Sequence, residues 1–113
     1  MSGSPERLLI FARRPAAGSV KTRLTPPLSP EQAARLYEAC IADVVEIATS
    51  TGRPVIICYA GGDHARAYFA ARYPDVPRRP QADGDLGARM AEALASAFGQ
   101  GVERAVLIGT GLP

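Results

Sequence analysis

Five residues without a polar side chain, Leu8-Leu9-Ile10-Phe11-Ala12, run directly into Arg13-Arg14-Pro15 and a loop that holds no acid as far as Pro30. A short β-permissive run without polar alternation is the pattern of a strand buried on both faces, which is found in parallel sheets covered by helices on each side. Ligands of such sheets sit where the strands end at their carboxyl edge, so a loop leaving that edge is a candidate site. Between Arg7 and Pro30 the cations are Arg7, Arg13, Arg14, Lys21 and Arg23, and an anion approaching them meets uncompensated positive charge. Lys21 is the chain's one lysine among 13 Lys plus Arg. A compact ammonium in the most basic loop suits phosphate oxygens. Arg13, Gly18, Thr22 and Arg23 complete the candidate anion site around it.

The remainder alternates helix and strand signals. Thr25-Pro26-Pro27 blocks an early helix. Ser29 is then a good N-cap, Pro30 fits the first helical position and Gln32 completes a capping box. Ala33, Leu36, Tyr37, Cys40, Ile41, Val44, Val45 and Ala48 follow at helical spacing, and Gly52 supplies the stop. Tyr37 and Cys40 therefore read as core residues. Val55 to Ala60 is a second buried strand, closed by Gly61-Gly62. Asp63 is expected to cap a short helix through Tyr73, which Pro74 terminates. His64 falls in its first turn and, with no nucleophile or acid placed beside it by the sequence, reads as a solvated helix start. Three prolines between Pro74 and Pro80 leave room only for a short edge strand around Arg78 to Gln81.

The second informative stretch is Gln81-Ala-Asp-Gly-Asp-Leu-Gly-Ala-Arg-Met90. Asp85 is placed to cap a helix from Leu86 to Phe98, with Met90, Leu94 and Phe98 facing inward. Gly84 and Gly87 keep the start of that helix bare, which suits either backbone N–H groups that face a ligand, with a base or ribose close by, or an ordinary strand-to-helix turn. Ala105 to Ile108 forms a last strand. The order βαβα(β)αβ implies a three-layer αβα domain on a mostly parallel sheet, with the first strand central between the second and the last.

Composition sets the outer bounds. A chain of 113 residues that is 47% hydrophobic and 21% charged reads as one soluble domain with a real core. A net charge of +2, concentrated in one loop, with 6% aromatic residues and no Trp, does not support nucleic-acid binding. No apolar run approaches the ~20 residues of a membrane span, so the expected location is cytoplasmic. Cys40 and Cys58 have neither metal nor redox spacing and read as free thiols. Gly18-Ser-Val-Lys-Thr22 lacks the glycine that a phosphate loop of NTPases needs before its lysine. No Gly-x-Gly-x-x-Gly dinucleotide fingerprint follows the first strand.

Three segments carry a family resemblance: Phe-Ala-Arg-Arg-Pro-Ala-Ala-Gly-Ser-Val-Lys-Thr-Arg-Leu24, Gly84-Asp-Leu-Gly-Ala-Arg-Met90 and the ending Val-Leu-Ile-Gly-Thr-Gly-Leu-Pro113. Together they resemble an uncharacterised bacterial family of glycosyltransferase-like proteins. That family lies in the nucleotide-diphospho-sugar transferase superfamily, alongside the molybdenum cofactor and 2-phospholactate guanylyltransferases. The resemblance implies the Rossmann-like N-terminal half of an A-type glycosyltransferase fold, with a nucleotide or nucleotide sugar at the carboxyl edge and Mg or Mn bridging its phosphates. On it, Lys21 and Arg23 match phosphate-contacting residues. Gly84, Asp85, Gly87 and Arg89 match the segment near base and ribose.

Two departures stand out. Gly111 occupies the place of the family's metal-binding aspartate, and the family's second half, expected to carry the acceptor site, has no counterpart here. Asp83 is then the remaining carboxylate candidate for a metal. Two readings follow: a nucleotidyl- or glycosyl-transferase domain that is catalytically incomplete as a chain of 1–113, or a non-catalytic half-domain that binds nucleotide or a partner. A homodimer through the exposed sheet edge is expected in either case.

Overall fold

The computed structural model describes residues 5–16 and 28–110. Gly18, Lys21, Thr22, Arg23 and Gly111 lie outside these residues, as do Thr25, Pro26 and Pro27. The described elements run β1 (Glu6–Arg13), α1 (Pro30–Ser50), β2 (Val55–Ala60), α2 (Gly62–Arg72), β3 (Arg78–Pro80), α3 (Leu86–Gly99) and β4 (Arg104–Gly109).

The strands form one sheet in the order β3-β2-β1-β4, and every neighbouring pair is parallel. The two-sided apolar run of β1 is therefore interior, with Leu9, Ile10, Phe11 and Ala12 all buried. Successive side chains of a strand point to opposite faces. Ile10 and Ala12 join Ile57 and Tyr59 of β2 in a core closed by Tyr37, Ile41 and Val45 of α1 and Phe69 of α2. Leu9 and Phe11 join Cys58 beneath Ala93 of α3 on the other face. Helices thus cover both faces, which makes the three layers.

α1 starts as its local sequence dictates. The Gln32 backbone N–H donates to Ser29 Oγ at 3.1 Å and the Ser29 N–H to Gln32 Oε1 at 2.9 Å, a cap of the kind that contributes ~1 kcal/mol. Its buried stripe is Ala33, Tyr37, Ile41, Val45 and Ala48. Leu36 is 38% exposed and Cys40 half-buried, while Ala34 and Val44 flank the buried stripe against the core.

Two local expectations are corrected. Asp63 does not cap α2. The helix begins two residues earlier than that cap would set it, its N-cap is Gly61 at φ +115°, and no side chain caps it. Asp63 instead faces solvent in the first turn, with Arg66 at 3.7 Å. The turn residues at the end of β2 are already in positive-φ backbone, so the chain enters helix before it reaches the aspartate. Phe98 is 49% exposed rather than inward. α3 instead buries Ala93 and Ala97, whose small side chains bring it close to the sheet, and Phe98 falls one position beyond that row. α3 begins as expected, with the Ala88 N–H donating to Asp85 Oδ1 at 2.8 Å.

At the amino ends of the strands Glu6 accepts from Arg53 Nε at 2.7 Å and from Arg104 Nε at 3.0 Å. The hydrogen bonds from Arg53 and then Arg104 hold its carboxyl below the usual carboxylate range. This cluster ties β4 and the approach to β2 onto β1 at the edge remote from the basic loop. No helix among the described residues is long and apolar enough to cross a membrane.

Candidate functional site at the carboxyl edge

The parallel register places Arg13 of β1 beside Ala60 of β2, and Tyr59 of β2 beside Pro80 of β3. Three strands therefore release their chains at one edge, and two adjoining hollows lie there. The first, of about 350 Å³, is lined by Arg13, Arg14, Ala16, Ala60, Gly61 and His64. The second, of about 370 Å³, has Gln81, Asp83, Gly84 and Arg89 on its wall. Ala60 and Gly61 line both. Gly61 is the shared partition, and its left-handed backbone is what turns β2 sharply into α2.

The arginines of the two hollows differ from those that make ion pairs elsewhere. Arg53, Arg66, Arg79 and Arg104 each face a carboxylate within ion-pair distance. Among the described residues no ion pair involves Arg13, Arg14 or Arg89. Arg13 and Arg14 are exposed at the first hollow. Their charge is open to an external anion rather than engaged in holding the fold.

Arg89 is positioned by its neighbours. One terminal nitrogen donates to Gln81 Oε1 at 2.9 Å, and Nε reaches the Asp85 carbonyl at 3.4 Å. Gln81 is itself anchored, its Nε2 donating to the Cys58 carbonyl at 2.9 Å and its backbone N–H to the Tyr59 carbonyl at 2.7 Å. Arg89 is thus coupled through one glutamine to the end of β2. Asp85 is engaged as the α3 cap. Gly87 stands in the first turn of α3, where a Cβ would come within 3.5 Å of Asp85 Oδ1.

The floor behind the first hollow is a buried hydroxyl relay. The Arg13 N–H donates to Tyr37 Oη at 3.0 Å, Tyr37 Oη and Thr110 Oγ1 are 2.9 Å apart, and Thr110 Oγ1 donates to the Phe11 carbonyl at 2.8 Å. With the threonine proton directed to Phe11, the tyrosine proton bridges the two hydroxyls. The relay clamps the ends of β1, α1 and β4 just below the departing loop. Thr110 is 5% exposed, so it positions backbone and does not face a ligand.

Sequence reasoning thus singled out Arg13, Gly84 and Arg89, which the fold brings to one edge with Asp83. It passed over Gln81 and Thr110 as site residues. Gln81 could have been flagged as the first residue after an edge strand, and Thr110 as the polar residue at the end of the last one. His64, read as a solvated helix start, is indeed exposed in the first turn of α2, and it also lines the first hollow.

A metal ion finds no ready site among the described residues, where no three His, Cys, Asp or Glu side chains come together. Asp83 is a single exposed carboxylate and one oxygen of Asp85 is taken by the cap. These residues do not fit a divalent ion on their own.

A solved structure titled a "putative nucleotide-diphospho-sugar transferase", from Desulfovibrio desulfuricans G20, superposes with a TM-score of 0.88 at 33% identity. The match covers 97% of this chain and 48% of that one, so the chain spans about half the length of the structure it resembles. The fold is therefore an α/β domain matching that of a nucleotide-diphospho-sugar transferase-type structure. More particularly, residues 43–113 match the bacterial family described as "Uncharacterized protein conserved in bacteria (DUF2064)", and the chain belongs to that family. Comparison with curated proteins returns no match.

Proposed function

We propose that this chain is the nucleotide-binding part of a transferase that uses a nucleoside triphosphate or a nucleotide sugar. The observation that carries this reading is the pair of adjoining hollows at the carboxyl edge, one lined by Arg13 and Arg14 and the other by Gly84 and Arg89. A nucleotide has an anionic end and a flat end, and the two hollows offer a cationic wall and a glycine-relieved wall in succession. The phosphates take the first hollow, and Gly18, Lys21, Thr22 and Arg23, which follow Ala16 in the sequence, are the further residues proposed to contact them. Base and ribose take the second, with Arg89 held in place by Gln81. Transfer by in-line attack needs an acceptor brought to the phosphoryl or glycosyl centre. In this reading the chain's residues bind and orient the donor, and the acceptor groups belong to the half of the matched structure without counterpart here.

A divalent ion would supply charge neutralisation of the phosphates, and the described carboxylates do not make a site for it. The test is calorimetric titration with nucleoside diphosphates, nucleoside triphosphates and nucleotide sugars, each with and without magnesium. Saturable binding of at least one nucleotide, lost in Arg13→Ala/Arg14→Ala, is the expected result. No heat and no thermal shift with any of them would overturn the proposal.

A second reading is favoured by one further feature, the outer edge of β4. Among the described residues β4 pairs with β1 alone, and Val106 is 56% exposed. An edge strand with unpaired backbone groups recruits a further strand. The occupant proposed is a second copy of the chain, giving a dimer that continues the sheet. Light scattering at tens of micromolar, a range that suits a weak interface, should report the dimer. Monomer mass throughout would remove this reading.

A further inference from the structure

His64 is the chain's only histidine, and it lines the same hollow as Arg13 and Arg14. The fold arranges this meeting from two separate strands. Arg13 is paired across the sheet with Ala60, and α2 begins at Gly62, immediately after β2 ends. The imidazole therefore belongs to the first turn of a helix that starts beside the arginines. Two permanent cations and one titratable group share about 350 Å³.

We infer that His64 is a third cationic ligand of this hollow, protonated when a pyrophosphate-type anion occupies it. The inference rests on the proposed reading of the two hollows as a nucleotide site. Guanidinium groups stay charged at every physiological pH, whereas an imidazole changes charge between pH 5 and 8. An anion beside it favours the charged form. By linkage, proton uptake then strengthens anion binding, so affinity rises as pH falls.

The charged groups around His64 leave this coupling open. From β1 come Arg13 and Arg14. On its own helix, Asp63 has a side chain 94% exposed and faces Arg66 at 3.7 Å. On α1, Glu38 is engaged by the Tyr68 hydroxyl at 2.8 Å and is not among the residues lining the hollow. From the segment after β3, Asp83 and Arg89 line the adjoining hollow. Among the described residues no carboxylate lines the hollow of His64, and residues 17–27 include no Asp or Glu.

The test uses inorganic pyrophosphate and the untagged chain. One imidazole C2 proton signal is followed by NMR from pH 5 to 8.5, with and without pyrophosphate. Its titration midpoint should rise by about one unit on binding, the low end of the effect of a nearby opposite charge. Calorimetry on the wild type and His64→Gln is then compared at pH 5.5 and pH 8. Pyrophosphate takes up protons in this range, so the quantity read is the wild-type-to-variant affinity ratio at each pH. That ratio should be about tenfold larger at pH 5.5 than at pH 8, the equivalent of a one-unit shift. If pyrophosphate binds and neither the midpoint nor the ratio changes, the role of His64 is overturned while the nucleotide site stands. If pyrophosphate and nucleotides fail to bind at any pH, both fall.

Discussion

The Tyr37 and Thr110 hydroxyls, 73 residues apart in the chain, lie 2.9 Å from each other beneath the carboxyl edge. Each has a second partner on β1, the Arg13 N–H for the tyrosine and the Phe11 carbonyl for the threonine. Tyr37→Phe keeps the ring and removes the bridge, leaving a part-buried N–H and a buried hydroxyl short of a partner. The expected cost is about 1–3 kcal/mol, the penalty for a buried group left unsatisfied, measured by urea denaturation. Thr110→Val should cost a similar amount, and the double variant less than the sum because the two act in one relay. Additive losses would show that the hydroxyls are not coupled.

Gly61 divides the two hollows and carries φ +115°, and a Cβ there would lie 3.2 Å from the Ala65 Cβ. Ala65 is fully buried and cannot give way easily. Gly61→Ala should destabilise the fold by about 1–3 kcal/mol through backbone strain, and nucleotide affinity should fall with it. Thermal unfolding unchanged from wild type would mean that the turn relaxes without loss.

Lys21 lies outside the described residues, and its prediction stands on the sequence: an acid-free loop next to a strand end, with one lysine among arginines. Charge-assisted contacts of an ammonium with phosphate contribute about 1.5–3 kcal/mol. Lys21→Ala should therefore weaken nucleotide binding about tenfold or more with an unchanged far-ultraviolet circular dichroism spectrum. Equal affinities in calorimetry would remove Lys21 from the site.

Burial pushes the Cys58 thiol up from 9.0 to about 11, whereas Cys40 on α1 is half-buried. Iodoacetamide at pH 8 should label Cys40 first and Cys58 only when the chain unfolds, because the thiolate is the nucleophile. The raised value also sets a sign for stability. The folded state favours the neutral thiol, so this contribution is fully present below pH 9 and is lost as pH rises toward 11. Urea midpoints measured across that window should fall more in the wild type than in Cys58→Val. Equal slopes would assign the alkaline loss to other groups.

The order and type of the elements are legible in local chemistry, although the start of α2 is not. The two-faced run Leu8 to Ala12 required an interior parallel strand. Ser29, Pro30 and Gln32 placed the start of α1, and the prolines around Arg78 confined β3 to an edge. These signals need only the periods of helix and strand and the preferences of capping residues. Tertiary structure alone decided which polar groups meet. Tyr37 reads as core from its spacing, and only the return of β4 beside β1 brings Thr110 to its hydroxyl. His64 reads as solvated from its neighbours in sequence, and only the pairing of Arg13 with Ala60 puts it in the arginine hollow. Gln81 reads from the sequence only as the residue at the end of an edge strand, and the fold makes it the link between Arg89 and the end of β2. The physical reason is common to all three: parallel pairing sets side by side residues tens of positions apart, and no local pattern encodes which strand ends will share an edge.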